Sequence, residues 1–173
     1  MKKNTALILA LSLIVVCLIG GTIAWLTDST STIENTFTIG KVDIDLTEDN
    51  PANQTAQMTP GSDITKDPTV KVDASSESCY VYIKIDDNAA DYLTWTIADG
   101  WTALTGQTGV YYREYTKGDG AEYAVLANNK VTVKDTVTSV TGTPTLAFTA
   151  YAIQKDNIAD AATGWAELNP SHP

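Results

Sequence analysis

Residues 79–86 read CYVYIKID, and the alternation within them decides the fold. Successive side chains of an extended strand point to opposite faces, so Cys79, Val81, Ile83 and Ile85 share one face and Tyr80, Tyr82 and Lys84 the other. The pattern returns in residues 145–154, TLAFTAYAIQ, where Leu146, Phe148, Ala150 and Ala152 oppose Thr149, Tyr151 and Ile153. Shorter versions occur at Val70 to Val72, at Leu93, Trp95 and Ile97, at Val110 to Tyr115 and at Val131 to Val133. Upstream, the apolar phase is odd at Ile33, Phe37 and Ile39 and even at Val42, Ile44 and Leu46, slipping by one at Gly40. A glycine bulge accommodates such a slip, so residues 36–47 read as one bent strand with Asp43 and Asp45 facing solvent. Residues 48–67 are polar and read as a loop with a turn at Pro60-Gly61. Residues 159–168 have a helical composition interrupted by Gly164 and read as a weak helix or turn. Strands separated by Gly, Asn, Asp and Pro, with no helices long enough for crossovers, predict an all-β fold. The expected form is an antiparallel β-sandwich, jelly-roll-like, of about seven to nine strands with a minor helical element near the C-terminus.

The first 24 residues have a different character. Lys2 and Lys3 precede an apolar run from Ala6 to Ile19 broken only by Ser12, then Gly20-Gly21 and the small residues Thr22 and Ala24, three and one positions before a cut. That order of parts predicts a signal peptide over 1–24, cut between Ala24 and Trp25, and therefore a secreted chain. An uncleaved anchor is the alternative, since residues 6–26 are long enough to cross a bilayer; membrane contact is expected only through this segment. Cys17 is not read as a lipidation site, because Val16 stands where a small residue is needed and the apolar run continues past it. Residues 25–35 read as a flexible N-terminal segment and candidate donor strand, and residues 36–173 as a single β-sandwich domain.

Charge and composition narrow the chemistry. The 173 residues carry 21 Asp and Glu against 11 Lys and Arg, a formal charge of −10, which argues against a nucleic-acid partner. Beyond the leader, Cys79 is alone, so no intrachain disulfide is available to the exported chain, and a buried small hydrophobe is the expected role. The single histidine, His172, leaves no His pair for a zinc hydrolase and no rigidly placed partner for a nucleophilic triad or a cysteine protease. No catalytic residues and no cofactor are therefore assigned. Calcium is the metal worth weighing: Asp43, Asp45 and Asp49 form one oxygen-rich run, and Asp86 and Asp87 end a strand in another. The same carboxylates are better explained as solvated strand faces that keep an exported β protein soluble and discourage edge pairing. Tyr80 and Tyr82, with Tyr111, Tyr115 and Trp101 as further exposed candidates, are read either as a glycan- or partner-binding surface or as the second core face of a sandwich.

The junction GGTIAWLTDSTSTIENTFTIGKVDIDLTE, residues 20–48, places a Gly-Gly and a small-residue cut site before an N-T-F-T-x-G-x-V-D-I segment. It resembles the leader class processed by SipW-type signal peptidases of Gram-positive bacteria, whose substrates include the TasA and camelysin (CalY) family. MTPGSDITKDPTVKVDASSESCYVYIKI, TLAFTAYAIQKDNI and GWAEL are similar to the body of secreted members of that family. The resemblance implies a SipW-type signal peptidase as partner, export to the cell surface or extracellular matrix, and self-assembly or assembly with other matrix proteins into biofilm fibres. In such assemblies an N-terminal segment adds as a strand to the next subunit; Ile33, Phe37 and Ile39 are the candidate plugs here. The other reading of this segment is a flexible terminus, or one that pairs within its own subunit. The resemblance also carries a camelysin-type metalloprotease as an alternative function, to which a glycan-binding surface adhesin is added on the aromatic residues.

Overall fold

The computed structural model describes residues 41–49, 57–118 and 120–168, all within the unit Ile39–Pro173. Among the described residues ten strands precede one α-helix: β1 (Ile44–Thr47), β2 (Asp63–Thr65), β3 (Thr69–Val72), β4 (Cys79–Asp87), β5 (Leu93–Thr94), β6 (Thr102–Ala103), β7 (Val110–Tyr115), β8 (Ala121–Ala124), β9 (Lys130–Val133), β10 (Leu146–Gln154) and α1 (Ala161–Leu168). They form three sheets, ordered β1-β3-β8, β10-β4-β7-β6 and β2-β9-β5, and every pairing is antiparallel. The all-β antiparallel expectation with a minor C-terminal helix holds.

The two long alternating stretches pair with each other over their full length. β10 lies against β4 in a nine-residue register from Leu146 opposite Asp87 to Gln154 opposite Cys79, which sets Phe148 beside Ile85 and Tyr151 beside Tyr82. One face of this sheet carries Cys79, Val81, Ile83 and Ile85 into the main core, where they meet Val70 and Val72 of β3, with Trp101, Tyr115, Val125, Leu126 and Val131. The opposite face is also buried. Tyr80 and Tyr82 pack with Leu104, Val110 and Ala161, flanked by Tyr112, Tyr151, Ile153 and Trp165, so α1 covers the outer face of β4. A strand in the middle of a sheet with both faces covered has no wet side, and this is why the tyrosine face proves to be a second core. Each large apolar side chain so buried contributes about 1.5–3 kcal/mol.

Gly164 does not interrupt the helix; it lies inside α1 and is buried. A Cβ on it would meet the Tyr82 hydroxyl oxygen at 2.5 Å and Ile153 Cγ2 at 3.0 Å, so the missing side chain is what lets α1 seat on the sheet. The Tyr82 hydroxyl donates to the Ala161 carbonyl at 2.8 Å, and its ring centroid is 5.3 Å from that of Trp165.

Other boundaries differ from expectation. The turn at Pro60-Gly61 is present, with Gly61 at φ +74°, but the stretch read as loop contains β2, paired with β9. β6 and β8 carry weak strand patterns of their own and exist through their neighbours: β6 pairs with β7, and β8 with β3. The Leu93, Trp95, Ile97 run is a strand only at Leu93–Thr94; Ile97 makes an isolated bridge to Leu126. The bent strand expected over 36–47 is described only from residue 41, with Ile44–Thr47 paired to β3; the Gly40 bulge lies outside the described residues.

Candidate functional site

The sequence candidates Asp43 and Asp45 come together with new partners on the outer face of the β1-β3-β8 sheet. The register places Asp45 opposite Lys71 and Lys71 opposite Glu122, a negative-positive-negative row across three strands. With Asp43, Asp73 and Gly120 they line a cleft of about 560 Å³. Its charges are largely engaged. Lys71 Nζ lies 3.2 Å from Glu122 Oε1, and Lys41 Nζ lies 2.5 Å from Asp43 Oδ2. Asp73 Oδ1 accepts from the Ser75 amide at 2.8 Å and the Ser75 hydroxyl at 2.5 Å, bonds that hold its carboxyl below the ordinary carboxylate range. The hydrogen bond from Lys41 to Asp43 raises the Lys41 ammonium above its ordinary value.

The floor at one end is unusually well tied. Ser76, fully buried, accepts from the Asp43 amide at 3.0 Å and donates to the Asp43 carbonyl at 3.1 Å. The Asp73 amide also donates to the Asp43 carbonyl, and the Glu77 amide to the Lys41 carbonyl, at 3.0 and 2.9 Å. The β3–β4 loop therefore extends the pairing of β1 back to Lys41.

The remaining acidic candidates are elsewhere. Asp49 is exposed beyond β1. Asp86 pairs with Lys84 at 3.1 Å across one turn of the pleat. Asp87 organises the β4–β5 connection: its Oδ1 accepts from the Ala89 amide and its Oδ2 from the Trp95 indole, both at 2.8 Å. Among the described residues no group of three or more His, Cys, Asp or Glu side chains is placed to hold a metal ion. Asp43 and Asp45 are joined by Asp73 and Glu122 rather than by Asp49, and the Asp86-Asp87 pair belongs to a different sheet. The cleft is suited to attracting cationic groups in outer-sphere fashion, not to caging a dehydrated cation. Ala24, Trp25, Ile33, Phe37 and Ile39 lie outside the described residues.

Of the two readings open for the aromatic candidates, Trp101 and Tyr115 take the core one: both are buried, at 8% and 3% exposure, and neither offers an exposed platform. Trp101 donates its indole N–H to the Ala124 carbonyl at 2.8 Å. Arg113, the one arginine of the sequence, places its guanidinium carbon 3.9 Å from the Tyr123 ring centroid and 5.4 Å from that of Trp101. Cys79 is buried, and desolvation pushes its thiol up to about 11.

A second cleft, of about 330 Å³, escaped the sequence reading. Leu46, Pro68, Leu146 and Phe148 line it, and the ion pair of Lys66 Nζ with Glu48 Oε1 and Oε2, at 2.7 and 2.9 Å, forms its rim. It lies where the edge strands β1 and β10 touch without pairing. The signal that could have found it is the absence of any charge, proline or glycine from Leu146 to Gln154.

A family model described as camelysin metallo-endopeptidase matches residues 1–94, more than half of the chain, ending with β5. No curated protein and no solved structure matches.

Proposed function

Because the chain belongs to the camelysin metallo-endopeptidase family, we propose that it is an exported structural protein of the cell surface or biofilm matrix, a fibre-forming or fibre-associated subunit assembling by strand addition. In this reading a SipW-type signal peptidase removes residues 1–24. The observation that carries it is β10: nine residues long, uncharged, and without a partner on its outer side among the described residues. Natural sheet edges are usually short or carry a charge that discourages pairing. The other edges here follow that rule, with Asp45 on β1, Asp63 on β2 and Glu122 on β8, and two residues each in β5 and β6. A long uncharged edge is a template for another strand.

Electron microscopy of the exported chain, concentrated and mildly acidified to reduce repulsion among its carboxylates, tests the reading. Ordered fibres are expected, and deletion of residues 25–35 is expected to leave a folded monomer. A chain that stays monomeric under all these conditions counts against a fibre subunit, and undiminished fibres from the deletion count against strand addition.

A metallo-endopeptidase is the second reading, favoured by the description of the family. Against it, no three His, Cys, Asp or Glu side chains converge among the described residues, and the Asp43, Asp73 and Glu122 carboxylates of the acidic cleft are engaged in ion pairs and turn bonds. Proteolysis by the purified chain that a chelator abolishes and added metal restores would establish it.

A further inference from the structure

We infer that the connection from β9 to β10 is a site of O-linked glycosylation, with neutral sugars carried on the hydroxyls of residues 136–145. The inference goes beyond the reading above and holds whether or not copies assemble.

Composition first sets the segment apart. Thr136, Thr138, Ser139, Thr141, Thr143 and Thr145 place six hydroxyls within ten residues, beside Gly142 and Pro144. Ser- and Thr-rich stretches that contain proline have the composition of O-glycosylated segments. From Thr136 to Gln154 there is no Asp, Glu, Lys or Arg, although such residues make up 18% of the chain. Lys134-Asp135 and Lys155-Asp156 bracket the gap. Thr and Val favour strands, and natural sequences normally guard an uncharged run of strand formers with a charge. Val140, 43% exposed, stands in the middle of this one. Covalently attached sugar supplies the hydration that no charged side chain provides there.

The structure adds access. All six hydroxyl-bearing residues are exposed, and no strand or helix forms between β9 and β10. The two ends are held. The Lys134 amide donates to the Tyr92 carbonyl at 2.9 Å, Val137 is buried, and the Asn88 amide donates to the Thr145 carbonyl at 3.1 Å. Between Val137 and Thr145 the chain is tied at Thr141, whose amide donates to the Tyr92 hydroxyl at 3.2 Å and whose hydroxyl lies 3.0 Å from it. Among the described residues the other five hydroxyls make no bond to the protein, whereas those of Ser62, Ser75 and Thr132 are committed to neighbours. A Cβ on Gly142 would meet nothing within 4 Å, so the loop stands in open space at that point. A transferase can take up such a segment without breaking the ladders of the sheets.

The step is a substitution at the anomeric carbon of a phosphate-activated sugar. The Thr or Ser hydroxyl oxygen bonds to that carbon and the bond from the carbon to the phosphate oxygen breaks. The phosphate ester leaves with the electron pair, and the hydroxyl proton passes to a base of the glycosyltransferase.

Trypsin isolates the site for the test, because Lys134 and Lys155 are consecutive cleavage points and residues 135–155 leave as one peptide. The full chain purified from its own bacterium is compared with the full chain from a host without protein O-glycosyltransferases. The native peptide is expected to be heavier by whole hexose or N-acetylhexosamine units, which electron-transfer fragmentation places within residues 136–145 and mild alkali strips, and the peptide from the other host to have the mass of its sequence. An unmodified native peptide would overturn the inference. So would sugar confined to hydroxyls elsewhere in the chain, or phosphate in place of sugar on these residues.

Discussion

The hydroxyl oxygen of Tyr82 lies 2.5 Å from where a Cβ on Gly164 would be, and that contact joins the helix α1 to the central strand. Tyr82 is fully buried and Gly164 is buried above it. Tyr82 spends its proton on the Ala161 carbonyl one turn earlier in the helix.

In an exposed helix, glycine to alanine stabilises by about 1 kcal/mol. Gly164→Ala is expected to do the reverse here, lowering stability by about 1–3 kcal/mol through overpacking against a ring that cannot retreat. Tyr82→Phe, which leaves the Ala161 carbonyl without this donor, is expected to cost about 1 kcal/mol. Urea unfolding of both variants checks this; a more stable Gly164→Ala would show that α1 has room to rise.

Arg113 sits over Tyr123 and near Trp101, on the side of β7 that faces the main core. Cation–π attraction and packing of its stem together predict a loss of about 1–2 kcal/mol for Arg113→Ala. Arg113→Lys should recover only part of it, because a planar guanidinium stacks on a ring and an ammonium does not. A double-mutant cycle with Tyr123→Leu measures the coupling, and additive losses would remove the interaction from the account.

Acid weakens this fold through identifiable groups. Asp63, bonded by Lys130 and Thr132, Asp73, bonded by Ser75, and Asp160, bonded by the Thr163 amide, all titrate below the ordinary carboxylate value of 3.8. A carboxyl with its folded value depressed adds stability that is fully present above its unfolded value and is lost as pH falls through the folded one. Thermal unfolding temperature should therefore hold from neutral pH to about pH 5 and fall below about pH 4. Asp63→Asn and Asp73→Asn should flatten that fall; an unchanged slope in both would assign the acid sensitivity to other carboxyls.

Alkali acts through the core. Cys79 is raised from 9.0 to about 11 by burial. The unfolded thiol releases its proton first, so stability is complete below pH 9 and declines as pH rises towards 11. Burial raises the Tyr82 phenol as well, and its loss follows at higher pH. Cys79→Ala should reduce the decline between pH 9 and 11, at the cost of some packing. A thiol reagent should label Cys79 only as fast as the chain unfolds, and rapid labelling of the native protein would contradict its burial.

Which parts were legible in the residues follows from the range of the forces involved. Alternation is a local property, so CYVYIKID and TLAFTAYAIQ announced β4 and β10, their two faces and the antiparallel β class without any partner in view. Net charge and the single histidine likewise needed no coordinates to narrow the chemistry. Tertiary structure decided what depends on residues far apart in the chain. Tyr80 and Tyr82 became a second core only because α1 returns to cover them, and Gly164 became a seat rather than a break only because Tyr82 stands beneath it. β6 and β8 are too short to pair on propensity alone and take their form from β7 and β3. Asp43 and Asp45 acquired Asp73 and Glu122 as neighbours through strand register, and the cleft at Leu46 and Phe148 exists because two sheets meet at their edges there. Period and charge are written residue by residue along the chain, whereas packing, register and open edges arise only when distant segments are brought together.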